Sequence, residues 1–199
     1  MTTAVDLVRA RIESLSADRD VVVVALDGRS GAGKSTFAAR LVEGLDAVVV
    51  EGDDFYAGGS EEAWRAMSPA ERAAHCIDWR RQRPVLGALR AARPASWRPY
   101  DWEAFDGSLV AEPLTAEPAP ILVLEGVYSA RPELADLLDL RVLLDPPDHV
   151  RRAQLRGREG DEYVDGWEAL WASAEVHHFG VVMPPDRFDL VVDPTADGR

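Results

Sequence analysis

Lysine is nearly absent from this 199-residue chain: 21 of its 22 basic side chains are arginine, and the one lysine is Lys34. Cysteine is as scarce. Cys76 alone excludes a disulfide within the chain and fits a reducing compartment. No apolar run approaches the ~20 residues of a membrane-spanning helix. The opening Met1-Thr2-Thr3-Ala4-Val5-Asp6 lacks the basic-then-apolar order of a secretory signal. A cytoplasmic protein without a membrane partner is the expectation. Positive charge is also lacking: 35 acids against 22 bases give a net charge of −13. That balance argues against a nucleic-acid surface and confines any anion site to a local cluster. The length and the 47% hydrophobic content fit one globular domain spanning 1–199. Nothing in the sequence speaks to oligomeric state.

What is present alternates between two periods. Residues 4–16 carry Val5, Val8, Ile12 and Leu15 at helical spacing, and 35–45 reads as a second helix. Apolar, β-branched runs at 21–26, 47–50, 121–124, 140–144 and 190–192 read as strands buried on both faces. Strands separated by helices predict a parallel sheet covered on both sides. The interval of about 55–118, rich in Trp, Arg and Pro, reads as helices and loops inserted over the carboxyl edge of that sheet. Residues 157–161 read as a solvated turn, within a lid over about 151–162.

Gly28-Arg29-Ser30-Gly31-Ala32-Gly33-Lys34-Ser35 fits G-x-x-x-x-G-K-[ST] at every fixed position, between a strand and a helix. Its glycines let backbone N–H groups turn toward phosphate, and the following helix aims its positive end there. Lys34 brings a compact point charge on a slim stem, which suits a tight loop better than a planar guanidinium. A nucleoside triphosphate is the expected ligand, with Ser35 on Mg²⁺. Asp53 and Asp54 end the second strand. Either one of them accepts a substrate hydroxyl proton and helps organise Mg²⁺, or they form a turn or cap. Glu125 ends the third strand, where a second Mg²⁺-organising acid belongs.

Arg151, Arg152, Arg156 and Arg158 gather on one helix and its exit. Arg152 and Arg156 share a face, either closing on a transferring phosphoryl group or pairing in solvent with Asp148 or Glu159. His177-His178 has no acid or Cys at ligand spacing and reads as surface or packing. Trp167 and Trp171 read as core.

In their order, Gly28 to Thr36, Asp53-Asp54-Phe55-Tyr56, Pro99-Tyr100-Asp101, Leu124-Glu125-Gly126 and the pair Arg152/Arg156 resemble the uridine kinase group of P-loop phosphotransferases. Relatives in that group act on pantothenate and ribulose phosphate. The resemblance spans roughly residues 20–195. It implies a three-layer α/β sandwich, with a five-stranded parallel sheet, helices on both faces and a short arginine-bearing lid. It implies ATP and Mg²⁺, with Gly28, Arg29, Ser30, Gly31, Ala32, Gly33, Lys34, Ser35 and Thr36 around the phosphates. Asp53 would take the proton of a ribose 5′-hydroxyl. Tyr56, Asp78, Tyr100 and the position of Phe105 would border the acceptor. Ser35, Glu125 and Asp53 would organise Mg²⁺, and Arg152 and Arg156 would close on ATP. Two positions depart: Phe105 replaces a base-reading histidine, and Gly157 follows Arg156 where the lid pattern has Asp.

The expectation is an ATP-dependent kinase acting on a hydroxyl of a small molecule, with a nucleoside as the best guess. The alternatives are another P-loop kinase (shikimate or gluconate type, pantothenate-like, or antibiotic-modifying) and a non-catalytic nucleotide switch. An ordinary GTPase is excluded, because its guanine-reading Asn-Lys-x-Asp needs a second lysine.

Overall fold

The structure, a computed structural model, describes residues 2–196, the side chains of 161–167 excepted. The elements run α1 (Ala4–Ser16), β1 (Val22–Asp27), α2 (Lys34–Val42), β2 (Ala47–Glu51), α3 (Glu61–Ala66), α4 (Pro69–His75) and α5 (Trp79–Arg90). A hairpin of β3 (Ala95–Trp97) and β4 (Leu114–Ala116) follows, then β5 (Ile121–Glu125), β6 (Leu140–Leu144), α6 (Asp148–Glu159), α7 (Asp161–His177) and β7 (Leu190–Val192). Five strands form one parallel sheet in the order β2-β5-β1-β6-β7. The fold is the α/β sandwich of P-loop kinases. No helix among the described residues is long and apolar enough to cross a membrane.

The β-branched runs become strands because both of their faces are buried. Val22, Val24 and Leu26 of β1 pack with Val5, Val8 and Ile12 of α1 and Phe37 and Leu41 of α2. Val23 and Ala25, pointing the other way, join Leu86 and Leu89 of α5, Leu122 and Leu124 of β5, and Trp64. Period-2 alternation thus divides one apolar run between two layers. α1 is anchored at its start by Thr3, whose hydroxyl accepts the Asp6 N–H at 3.1 Å while the Asp6 carboxylate accepts the Thr3 N–H at 3.0 Å.

Three expectations shift. The hairpin lies inside the interval read as helices and loops; its strands of three residues are too short to carry a periodic signal. The helix after the P-loop ends at Val42 rather than 45. The solvated turn at 157–161 narrows to Gly160 (φ +83°), because α6 continues through Glu159.

The exits of β2 and β5 are placed by glycine. Glu51 and Glu125 stand opposite in register, and Gly52 and Gly126 follow them. A Cβ on Gly126, whose φ is +149°, would lie 3.1 Å from Gly52 Cα, so a side chain there forces the strand ends apart. Gly126→Ala should cost about 2 kcal/mol or more, read as a lower urea midpoint at unchanged m-value. A wild-type midpoint would show that the contact yields freely.

Candidate active site

The P-loop is gripped from three sides. From within, Lys34 Nζ donates to the carbonyls of Gly28 (3.0 Å) and Arg29 (3.2 Å). From α6, the Arg151 guanidinium donates to the Ser30 carbonyl at 2.8 Å, and the helix backbone lies so close that a Cβ on Gly31 would sit 2.5 Å from the Arg151 carbonyl oxygen. From α7, the buried Glu175 accepts both the N–H (2.8 Å) and the hydroxyl (2.6 Å) of Ser30 through one oxygen. Beneath the loop, the fully buried Asp27 accepts the N–H groups of Gly28 (2.8 Å), Tyr128 (2.9 Å) and Ala130 (3.0 Å).

Acids face the loop across the β2 and β5 exits. The Ser35 hydroxyl donates to Glu125 at 2.9 Å. Burial pushes the Glu125 carboxyl above its ordinary value, against the pull of the Ser35 hydrogen bond and Lys34, while Asp53 and Glu51 push it further up. Glu51 is raised by burial and by Asp54 and Asp53. Asp54 is turned away: its carboxylate accepts the Trp97 indole N–H at 2.7 Å. Burial raises it as well, with that hydrogen bond opposing. Among the described residues no three His, Cys, Asp or Glu side chains converge as a ready cage. The hydroxyl–carboxylate pair of Ser35 and Glu125 fits instead a hard cation that takes most of its ligands from phosphates and water.

Two cavities meet here. The first, about 570 Å³, is lined by residues 30–37 of the loop and α2, with Arg40, Asp53, Glu125, Gln154, Arg158, Pro194 and Thr195. The second, about 640 Å³, is more apolar and is lined by Tyr56, Trp102, Phe105, Tyr128 and Trp171 with Cys76 and Ile77. Ser30, Asp53, Val127 and Arg158 line both.

The profile of the Phosphoribulokinase / Uridine kinase family matches residues 23–168, well over half of the chain. The chain belongs to this family. No curated protein matches it. Three solved structures share the fold. A possible uridine kinase from Bacillus stearothermophilus superposes with a TM-score of 0.65 at 22% identity, covering 94% of this chain and 100% of that one. A candidate fructose transport system kinase from Silicibacter sp. TM1040 reaches 0.63 at 22%, covering 92% and 98%. D-glycerate 3-kinase from Cryptococcus neoformans reaches 0.60 at 15%, covering 85% and 86%.

The residues expected from the uridine kinase pattern are only partly brought together at these two cavities. Lys34, Ser35, Thr36, Asp53 and Glu125 line the first cavity, and Tyr56 and Phe105 line the second. Tyr100 stands behind that wall, buried and edge-on to Tyr56 at 4.9 Å between ring centroids. Asp78 lies outside both linings: it caps α5, its carboxylate accepting the Arg80 N–H at 3.1 Å. Arg152, with 66% of its side chain exposed, pairs with Asp148 at 2.7 Å. Arg156 is exposed on the same helix, and neither lines either of these two cavities. The face of α6 that meets the cleft carries Gln154 and Arg158. His178 is buried packing, edge-on to Tyr128. Trp171, expected in the core, is also a wall of the second cavity; Trp167 lies outside the described side chains. Asp27 and Glu175 were not singled out by sequence. Asp27 immediately precedes the loop, which is a readable position, whereas Glu175 meets Ser30 only through the fold.

A carboxyl raised by burial loses stability for the fold as pH climbs through its folded-state value, and the loss is absent below the ordinary glutamate range. Glu125→Gln should therefore raise the thermal midpoint of the ligand-free protein at pH 8, with the gain vanishing toward about pH 4. The same variant should lose most of the added stabilisation from Mg²⁺-ATP. An unchanged midpoint at pH 8 would mean that the Glu125 charge carries no such penalty.

Proposed function

We propose that this family member transfers the γ-phosphoryl group of ATP to a hydroxyl of a small molecule, with Mg²⁺ as cofactor. The observation that carries this reading is the meeting of the two cavities at Asp53, Ser30, Val127 and Arg158. A triphosphate along the P-loop ends at that junction, and an alcohol in the aromatic cavity reaches it from the other side. Phosphoryl transfer needs little covalent help from protein. It needs alignment of nucleophile and phosphorus, and compensation of spreading charge.

Each group then has one task. Asp53 accepts the acceptor hydroxyl's proton, because it is the exit acid that lines both cavities. Lys34 leaves its carbonyl partners in the loop for phosphate oxygens. Arg158 neutralises charge from the α6 side, in the part that the family pattern gives to Arg152 and Arg156. Ser35 and Glu125 would hold Mg²⁺, which would supply neutralisation of the triphosphate charge. The ribose 5′-hydroxyl is the acceptor that the uridine kinase resemblance implies. Phe105, which has no hydrogen-bonding group, makes uridine a poor one.

The test is ADP release from ATP across a panel of nucleosides, sugars, pantothenate and amino alcohols. Lys34→Ala should abolish acceptor-stimulated release. Asp53→Asn should lower kcat by about 10²-fold or more with ATP affinity retained. Acceptor-independent turnover that Asp53→Asn leaves untouched would support a nucleotide switch instead.

A further inference from the structure

A separate cavity, about 520 Å³, opens between α5 and β3. It shares no lining residue with the two cavities at the P-loop. Phe55, Val85, Trp97 and Leu109 give it an apolar floor, on which the Phe55 and Trp97 rings stack at 6.2 Å between centroids. Its charged lining is Arg80, Arg81 and Arg98, with no acid among the lining residues.

These three guanidiniums differ from their neighbours. Further along α5, Arg83 pairs with Asp136 and Arg90 with Asp139. Arg80, Arg81 and Arg98 pair with no carboxylate among the described residues, although acids outnumber bases 35 to 22 in the chain. Arg80 and Arg81 also occupy the first turn of α5, where the helix dipole disfavours a cation and no acid offsets it. The backbone of that turn is already satisfied: the Asp78 carboxylate accepts the Arg80 N–H at 3.1 Å, and the Asp78 carbonyl accepts the Arg81 N–H at 3.0 Å. What is left for a ligand is therefore the side chains. Two of them are held in place by rings. The Arg80 guanidinium lies 4.6 Å from the centre of the Trp79 ring, and that of Arg81 lies 5.5 Å from the centre of Phe55. Arg81 also donates to the Arg98 carbonyl. Asp54 acts on Arg81 only through space, since its carboxylate is taken by the Trp97 indole N–H. Guanidiniums fixed beside an apolar floor without a counter-charge suit an anion that carries an apolar body.

We propose that this cavity binds a small phosphate monoester, with its phosphate among Arg80, Arg81 and Arg98 and a compact apolar body on Phe55, Val85, Trp97 and Leu109. A dianion answers three cations better than a single charge does, and the volume is that of a small-molecule site. Neither the P-loop nor a strand-exit acid lines it, so this is a binding site beyond the one for phosphoryl transfer.

The experiment is calorimetric titration of the intact protein with phenyl phosphate, inorganic phosphate and benzyl alcohol. It is run at about pH 8, where the ester is a dianion, with the P-loop first saturated by a non-hydrolysable ATP analogue and Mg²⁺. Phenyl phosphate should bind at least about tenfold more tightly than inorganic phosphate or the alcohol. Arg80→Ala combined with Arg98→Ala, both at exposed positions, should bring it to within about threefold of the alcohol while sparing the ATP analogue. A ratio near one in the unmodified protein overturns the proposal. So does a preference that survives the double variant, because the ester then sits elsewhere. Failure of the analogue to bind overturns the kinase reading alone, since the double variant still reports on this cavity.

Discussion

The Asp27 carboxylate is the fixed point of this molecule. It lies at the end of the central strand with no exposure, and three backbone N–H groups from two different segments converge on it. A buried carboxylate is tolerated when its lone pairs are met by such donors, and the same bonds fix those donors in space. One donor opens the P-loop and two belong to the turn after β5. The loop that receives phosphate and the strand exit that carries Glu125 therefore cannot drift independently. The Gly52–Gly126 contact adds the third strand exit, and with it Asp53. Lys34, Glu125 and Asp53 are positioned by one carboxylate and one glycine pair.

That convergence has an electrostatic cost in the ligand-free protein. Burial raises the Glu125 and Glu51 carboxyls; Asp53 and Glu51 push Glu125 further up against Ser35 and Lys34, and Asp54 and Asp53 push up Glu51. A cation bound at these strand exits would relieve that repulsion.

Much of this was legible in residues near one another in sequence. Runs such as Val22–Leu26 declare a doubly buried strand, and Gly28 to Ser35 declares a phosphate loop, because chemistry and spacing coincide within a few residues. Asp53 against Asp54 was a harder choice. It turns on Trp97, whose indole N–H occupies Asp54 from a hairpin 43 residues away. The phase of α6 was harder still. Spacing says that Arg152 and Arg156 share a face but not which way it looks, and the direction is set by Leu155 and Arg151 seating on Gly31. Glu175 reaches Ser30 across 145 residues, so no local pattern announces it.

The arginine bias takes on a physical meaning once the contacts are seen. Arg9 donates to the carbonyls of Leu41, Arg40 and Glu43 and so closes the end of α2. Arg131, buried, spans the carbonyls of Ile77 and Ala74 and the carboxylate of Glu133. Arg90 joins the Leu137 carbonyl to Asp139. Each of these tasks needs several donors held in a fixed plane, which a guanidinium supplies and an ammonium does not. Lys34 faces the opposite demand. In the proposed reaction its charge would leave two carbonyl oxygens for phosphate oxygens within a loop too tight for a planar group, and three freely rotating N–H bonds on a thin stem suit that exchange. Arginine therefore fastens this fold where partners stay fixed, and the single lysine stands where the proposed reaction would need the partner to change.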